Sequence, residues 1–348
     1  MRILVATDAW RPQVNGVVTT YERLAVEVER LGSSLAVLSP ADYPRMPCPT
    51  YPEIDLAWPV RETTAARIRD IAPDAIHIAT EGPIGWSVRR WCLDHHVTFT
   101  TSFHTMFPEY IRERFAIPTG LTYAVLRRFH NAGAGMMVAT PSLAADLTKR
   151  GFRNILPWTR GVDLARFHPR PVRMFGEAPV LLYVGRVAIE KNITDFLDLD
   201  LPGRKVVVGE GPQRSSFAAR YPHVLFTGYK SGDELAEAYA SADVFVFPSR
   251  TDTFGIVQIE AMASGVPIAA YPVTGPIDIV EDGLTGALAP SLREAVLRAL
   301  ALPREPIAGR SQRFSWSRTA RMFLDHVAAV RRAPDSLAVS LAAAASRG

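Results

Sequence analysis

Two carboxylates eight positions apart, Asp252 and Glu260, bracket a glycine in the segment RTDTFGIVQIEAMASG, directly after the apolar run VFVFPS. If that run is a strand and residues 255–264 are helical, the backbone N–H groups near Phe254, Gly255 and Ile256 form an anion site. The helix dipole then favours a diphosphate. Gly255 lets a phosphate approach closely, Glu260 is spaced to accept hydrogen bonds from two ribose hydroxyls, and Asp252 in the loop can hold sugar hydroxyls. Taken singly, Asp252 also reads as a helix cap and Glu260 as a surface helical residue. A second segment, VLLYVGRVAIEKN, runs a strand into Gly185, Arg186, Glu190, Lys191 and Asn192. Arg186 and Lys191 follow the strand end, so both cations can converge on a diphosphate and offset the charge that develops as it leaves. The alternative is a surface Arg beside an exposed Glu190 and Lys191 pair.

Weaker signals lie elsewhere. The strand RILVAT leads through DAWRPQVNGVVTT to Asn15 and Gly16, which open a helix whose apolar face reads as Val18, Leu24, Val28 and Leu31. This is a glycine turn at a helix start, but it is not GxGxxG, which argues against a dinucleotide dehydrogenase. Gly209 and Gly211 in VVVGEGPQRS form only a bare GxG. His104 directly follows a strand in VTFTTSFHTMFPEY and is placed to meet a bound substrate, whereas His77, His95 and His96 lack that position and read as non-catalytic. Asp198-Leu-Asp200 matches a metal-holding D-x-D pattern. It falls where a helix end leads into a strand, away from the strand ends that matter, and reads as a chance match. No His or Cys spacing suggests a metal site.

Side chains so placed need parallel sheets whose strand ends face a ligand. Runs that are apolar throughout recur between stretches of helical periodicity: RILVAT, LAVLSP, AIHIAT, VTFTTSF and MMVAT, then VLLYVG, KVVVGEG, VLFTGY, VFVFPS and PIAAYP. Such strands belong to α/β folds with both sheet faces covered. The series occurs twice, and 348 residues exceed what one core usually organises. The Pro-, Arg- and Gly-rich stretch RGVDLARFHPRPVRMFGEAP sets the boundary near residue 170. The expected organisation is an N-terminal Rossmann-like domain over residues 1–168, a second over 172–312, two sheets facing a cleft, and a fraying tail over 333–348.

The chain is 48% apolar and 21% charged, ordinary for a globular protein. Its two cysteines, Cys48 and Cys92, are far apart and fit a reducing compartment. No apolar run approaches the roughly 18 residues needed to span a bilayer, and MRILVATDAW lacks the features of a secretion signal. A cytoplasmic location is expected. The net charge of +4 is concentrated late: residues 301–348 hold 8 basic and 3 acidic side chains. That excess fits a solvated helix face, with an anionic membrane surface or nucleic acid as the alternatives.

Together, the NGV loop, FHT, GVDLARF, GRVAIEKN, GEGP and SRTDTFGIVQIEAMASG with GPIDIVEDGLTG behind it resemble the family 4 retaining glycosyltransferases of the GT-B fold. The resemblance runs to about residue 332. It implies that Arg186 and Lys191 grip the diphosphate of a UDP- or GDP-linked sugar, that Glu260 holds the ribose, and that Asp252 with the Phe254–Gly255 backbone and Ile256 holds the donor sugar. Gly185 and Gly209 line the same site, Asn15 and Gly16 meet the donor phosphates when the domains close, and His104 lines the reaction centre. It also implies that helix 315–332 returns to the N-terminal domain and that no metal cofactor is used. The family's acidic pair usually begins with Glu, and here Asp252 takes that place. Eight helical positions span about 12 Å, too far for a glycosidase carboxylate pair, so the two acids are substrate clamps.

Within the family, TDAWRPQVNGVVTT, IHIATEGPIG and PSRTDTFG look most like bacterial mannosyltransferases and diacylglycerol or sulfoquinovosyl lipid glycosyltransferases. A membrane lipid acceptor is expected and nucleic acid is not. Arg112, Arg114, Arg127 and Arg128, close to Phe107, Tyr110, Phe115 and Tyr123, suggest a basic and aromatic face for an anionic membrane at the inner side of the cytoplasmic membrane. A nucleotide-sugar 2-epimerase of the same architecture is the alternative.

Overall fold

Strand β1 (Arg2–Ala6) buries its whole ILVA run, the condition for a strand inside a parallel sheet. Its alternate side chains feed two cores. Ile3 and Val5 join Tyr21, Leu24, Val28, Ala320 and Phe323 on one face, and Leu4 and Ala6 join Ile68, Ile76, Ile78, Val88 and Phe99 on the other. The computed structural model describes residues 1–13, 15–48 and 51–331, and of 47–48, 51–56 and 113–114 the backbone only. After β1 come β2 (Ser34–Leu38), an antiparallel pair β3 (Arg45–Cys48) and β4 (Tyr51–Ala57), then β5 (Ala75–Ile78), β6 (Phe99–Phe103), β7 (Gly135–Val138) and β8 (Ile155–Pro157). Six of them form a parallel sheet in the order β2-β1-β5-β6-β7-β8, with Leu4 in register with Ala36 on one side and Ile76 on the other.

The second sheet repeats the plan with β9 (Val180–Val184), β10 (Arg204–Val208), β11 (Leu225–Gly228), β12 (Val244–Phe247), β13 (Ile268–Ala270) and β14 (Gly286–Leu288). Its order is β11-β10-β9-β12-β13-β14, again all parallel. Each sheet reverses its strand order once, between β1 and β5 and between β9 and β12. Such a reversal parts the connecting loops at the strands' C-terminal ends and opens a crevice there.

By contacts the chain divides into Met1–Thr159 with the segment from Trp316, and Arg160–Ser315. Residues 160–168, expected with the first half, go with the second. The Val162 N–H donates to the Phe314 carbonyl at 2.8 Å, Val162 bridges Ser315, and the Phe167 ring lies 5.8 Å from that of Tyr239. The last helix, Trp316–Arg331, packs on helix Gly16–Arg30 of the first unit through Ala320, Phe323 and Val327. The expected tail over 333–348 lies outside the described residues. Among the described residues, no helix is long and apolar enough to cross a membrane.

Two local expectations are corrected. Leu31 is not part of the buried face of helix Gly16–Arg30: it is the C-cap, 36% exposed, and the face is completed by Thr20 and Tyr21. The strands β3, β4, β8 and β14 add to the ten read from the sequence. Phe323 is fully buried between the sheet and helix Gly16–Arg30. Phe323→Ala is expected to destabilise the first unit by about 3–5 kcal/mol, seen as a lowered urea midpoint of the full chain.

Candidate active site

At the reversal in the second unit, β9 and β12 are neighbours, so the loops that follow them must part around whatever sits there. Gly185 leaves β9 with its N–H on the Val208 carbonyl at 3.0 Å, and the chain turns through Ile189–Lys191 into Asn192, which is left-handed at φ 51°. Asn192 Nδ2 then donates to the Pro248 carbonyl at 3.2 Å, at the end of β12, and to Asp195 at 2.6 Å. Thr251 Oγ1 donates to the Glu190 carbonyl at 3.4 Å, and Lys191 Nζ donates to Asp252 Oδ1 at 2.6 Å. The two segments singled out in the sequence are therefore one structure. The Lys191 and Asp252 side chains keep only 24% and 17% of their surface exposed, where solvent screens their attraction less than on an open surface.

Arg186 is half-buried in the same loop, and its carbonyl accepts the Tyr183 hydroxyl at 2.8 Å. Burial pushes the Tyr183 phenol up; Lys191 pulls it down, while Asp252 and Glu190 push it up. That phenol thus feels both charged partners while it fixes the Arg186 backbone. Asp252 Oδ2 is buried and accepts no hydrogen bond among the described residues. A buried carboxylate oxygen without a donor suits a hydroxyl supplied by a ligand.

Helix Ile256–Ala263 begins beside it. Gly255 is left-handed at φ 83°, and a Cβ there would lie 2.9 Å from the Phe247 ring and 2.8 Å from Gln258 Nε2. Gln258, fully buried, donates to the Phe254 carbonyl at 2.7 Å, while the buried Phe254 ring packs 5.8 Å from that of Phe314. The Phe254 side chain is thus committed to packing and its carbonyl, like that of Gly255, to Gln258, which leaves the N–H groups of Phe254, Gly255 and Ile256 at the helix start. Glu260 accepts the Tyr239 hydroxyl at 3.0 Å; Tyr239 is buried, and burial followed by the Glu260 charge holds its phenol well above the usual range.

Gly209 has a steric reason that a bare GxG does not reveal. A Cβ there would sit 2.0 Å from the Gly185 carbonyl oxygen, so the loops after β9 and β10 can touch only through glycine. The expected substrate contacts of Gly185 and Gly209 come with this packing duty. Asp198, of the apparent D-x-D pair, caps helix Ile193–Leu197 and accepts the Tyr221 hydroxyl at 2.6 Å, ahead of β10 and at its opposite end from the site.

In the first unit, Asn15 caps helix Gly16–Arg30: its Oδ1 accepts the N–H groups of Val17 and Val18 at 3.0 and 3.1 Å, and its Nδ2 donates to Gln13. The Asn15 side chain is thus occupied as a cap, and the Gly16 carbonyl accepts the Thr20 hydroxyl at 2.6 Å. His104 follows β6, partly exposed, with Nε2 3.0 Å from the Tyr21 hydroxyl. Tyr183, Tyr239 and Tyr21, all buried supports of these residues, carry no motif in the sequence. The one available signal is an apolar position occupied by Tyr, whose hydroxyl needs a partner when buried.

Each unit, taken alone, is a doubly wound α/β fold of the nucleotide-binding kind, and the second carries cations, carboxylates and a helix start at its strand reversal. Residues 14–166 match the model of Glycosyltransferase Family 4, and residues 178–302 match that of Glycosyl transferases group 1. The sulfoquinovosyl transferase SQD2 of Arabidopsis thaliana is 31% identical over 263 residues, 70% of this chain and 52% of that one, so the chain spans about half of that relative. A GDP-mannose-dependent alpha-mannosyltransferase of Mycobacterium tuberculosis is 29% identical over 320 residues, covering 83% of this chain and 84% of the relative. An alpha-monoglucosyldiacylglycerol synthase of Streptococcus pneumoniae is 25% identical over 355 residues, 86% and 78% of the two chains. Among solved structures, the sucrose-phosphate synthase of Thermosynechococcus elongatus aligns with a TM-score of 0.73 at 20% identity over 93% of this chain and 97% of that one, a likeness of fold. The chain belongs to the family 4 glycosyltransferases of the GT-B fold, and is a sugar-transferring enzyme.

Gly209→Ala is expected to destabilise the second unit by about 1–3 kcal/mol through its collision with Gly185, measured as a lower thermal midpoint without nucleotide.

Proposed function

We propose that this chain is a retaining hexosyltransferase that takes a hexose from a UDP- or GDP-sugar and passes it to a hydroxyl of a membrane lipid such as diacylglycerol. The observation that carries the reading is the Lys191–Asp252 contact at 2.6 Å, with the second Asp252 oxygen buried and undonated beside the Gly255 helix start. A sugar diphosphate has this pattern: anionic oxygens for a cation and a helix start, and hydroxyls for a carboxylate directly next to them. Glu260 takes the ribose. Lys191 and Arg186 neutralise the charge that grows on the departing diphosphate, so the reaction needs no divalent metal. Retention follows from attack of the acceptor on the face from which the diphosphate departs.

Lys191→Ala and Glu260→Ala are each expected to lower kcat/KM at least about a hundredfold, the scale of one lost charged contact to a transition state. Wild-type rates in both variants would remove the assignment. Activity is expected to persist in EDTA; abolition by EDTA with recovery on added Mg2+ would refute the metal-free reading. A thermal-shift panel of nucleotide sugars, followed by mass spectrometry of products formed with a lipid extract, identifies donor and acceptor.

The lipid acceptor is supported by the name of the diacylglycerol synthase relative and by one surface of the first unit. Helices Phe107–Phe115 and Thr119–His130 expose Phe107, Phe115, Leu121 and Val125 by 42, 54, 64 and 47%, with exposed Arg112, Arg127 and Arg128 alongside. Apolar side chains among cations fit the anionic inner face of a cytoplasmic membrane. Tyr123 drops out of the expected face: it is buried, and its hydroxyl donates to Glu109 at 2.8 Å. The Arg114 side chain lies outside the described residues. Leu121→Asp with Val125→Asp is expected to cut co-sedimentation with phosphatidylglycerol vesicles severalfold while leaving nucleotide-sugar binding unchanged; undiminished co-sedimentation would remove this face from the proposal.

A further inference from the structure

The hydroxyl of Tyr21 meets three polar groups: His77 Nε2 at 2.8 Å, His104 Nε2 at 3.0 Å and Ser102 Oγ at 3.3 Å. His77 is fully buried, and its other nitrogen lies 2.8 Å from Thr100 Oγ1. The rings are fixed by packing as well. Tyr21 stands edge-on to His104 at 5.6 Å and 87°, Trp158 lies 6.1 Å from His104, and Phe323 lies 5.1 Å from His77. Thus the one partly exposed member of this cluster, His104, is joined by a hydroxyl to a core imidazole.

A phenol has a single proton to give, while a neutral imidazole donates from one nitrogen and accepts at the other. If Tyr21 donates to His104 Nε2, then Nδ1 carries the proton; if Tyr21 accepts from His104 Nε2–H, then Nδ1 is left as an acceptor. The Tyr21 proton therefore couples the tautomers of His77 and His104, and it decides what His104 offers a substrate. We propose that Tyr21, backed by His77, is a positioning residue that sets the ring orientation and tautomer of His104. This rests on the reading of His104 as a residue of the reaction centre.

The test compares wild type, Tyr21→Phe, His104→Ala and the double variant. Tyr21→Phe is expected to lower kcat about tenfold with KM for the donor within about twofold, and the double variant is expected to be no slower than His104→Ala alone. Where His104→Ala is impaired, losses that multiply, or an unchanged kcat in Tyr21→Phe, would overturn the proposal. Long-range 1H–15N spectra of the imidazoles give a second readout: removal of the hydroxyl is expected to move the Nδ1 and Nε2 shifts of His104, and unmoved shifts would overturn it whatever the activity. If His104→Ala keeps wild-type activity while those shifts move, the reaction-centre reading of His104 fails and the Tyr21 coupling stands. Should Tyr21→Phe not fold, 3-fluorotyrosine at position 21 keeps the shape and sharpens the donor. The same His104 shifts are then expected to move, and their constancy counts against the coupling.

Discussion

The candidate site of the second unit is organised by one ion pair drawn across a strand reversal. Lys191 and Asp252 are 61 positions apart and belong to loops that the reversal between β9 and β12 sends in opposite directions. Without ties those loops would splay. Asn192 takes a left-handed turn that sends its amide to the Pro248 carbonyl, and Thr251 answers from the other loop at the Glu190 carbonyl. Withdrawing two charges partly from water has a desolvation cost that one contact does not reliably offset, so the pair is better understood as orientation than as stability. It holds an ammonium and a carboxylate at fixed positions beside a helix start, and pre-set charge is what a departing diphosphate rewards.

What the sequence disclosed follows from how local each signal is. β9 is buried along its whole length, so its apolar run could be read without knowing its neighbours. β8 and β14 have three residues each, and a run that short has no period of its own; it is a strand because β7 or β13 offers it a ladder. Lys191 and Asp252 were legible because ligands of parallel sheets generally bind beyond the C-terminal strand ends, and both residues follow such ends. Their mutual contact was not, since strand order is a tertiary fact.

The tyrosines show the same limit at the level of side chains. Tyr21 and Tyr239 sit on buried helix faces where Leu would satisfy the periodicity equally well, and only the assembled fold reveals that their hydroxyls end on His104 and Glu260. Gly209 was legible as a glycine but not for its reason, since its neighbour Gly185 arrives from another strand. Leu31 errs in the opposite direction. It continues the apolar spacing one step past Arg30, where the helix has ended and no core remains to receive it.

The two units are built alike, yet the helices at their two strand reversals begin differently, and a carboxylate makes the difference. At the reversal of the first sheet, helix Pro83–Asp94 follows β5, as helix Ile256–Ala263 follows β12 in the second. Asp8, from the loop after β1, accepts the Ile84 N–H at 2.8 Å, the Gly85 N–H at 3.4 Å and the Thr80 hydroxyl at 2.8 Å. Burial raises its carboxyl above the usual range, and those hydrogen bonds from Ile84, Thr80 and Gly85 pull it back. Gly82 admits it closely, since a Cβ there would lie 2.4 Å from the Asp8 carboxyl carbon. The chain's own acid thus fills the helix start in the first unit. In the second, Asp252, from the loop that leads into the helix itself, is turned to Lys191, and the helix opens on Gly255 with no side-chain cap. Helix N–H groups that the first unit satisfies with its own carboxylate are left without a side-chain cap in the second, the arrangement on which the proposed diphosphate site rests.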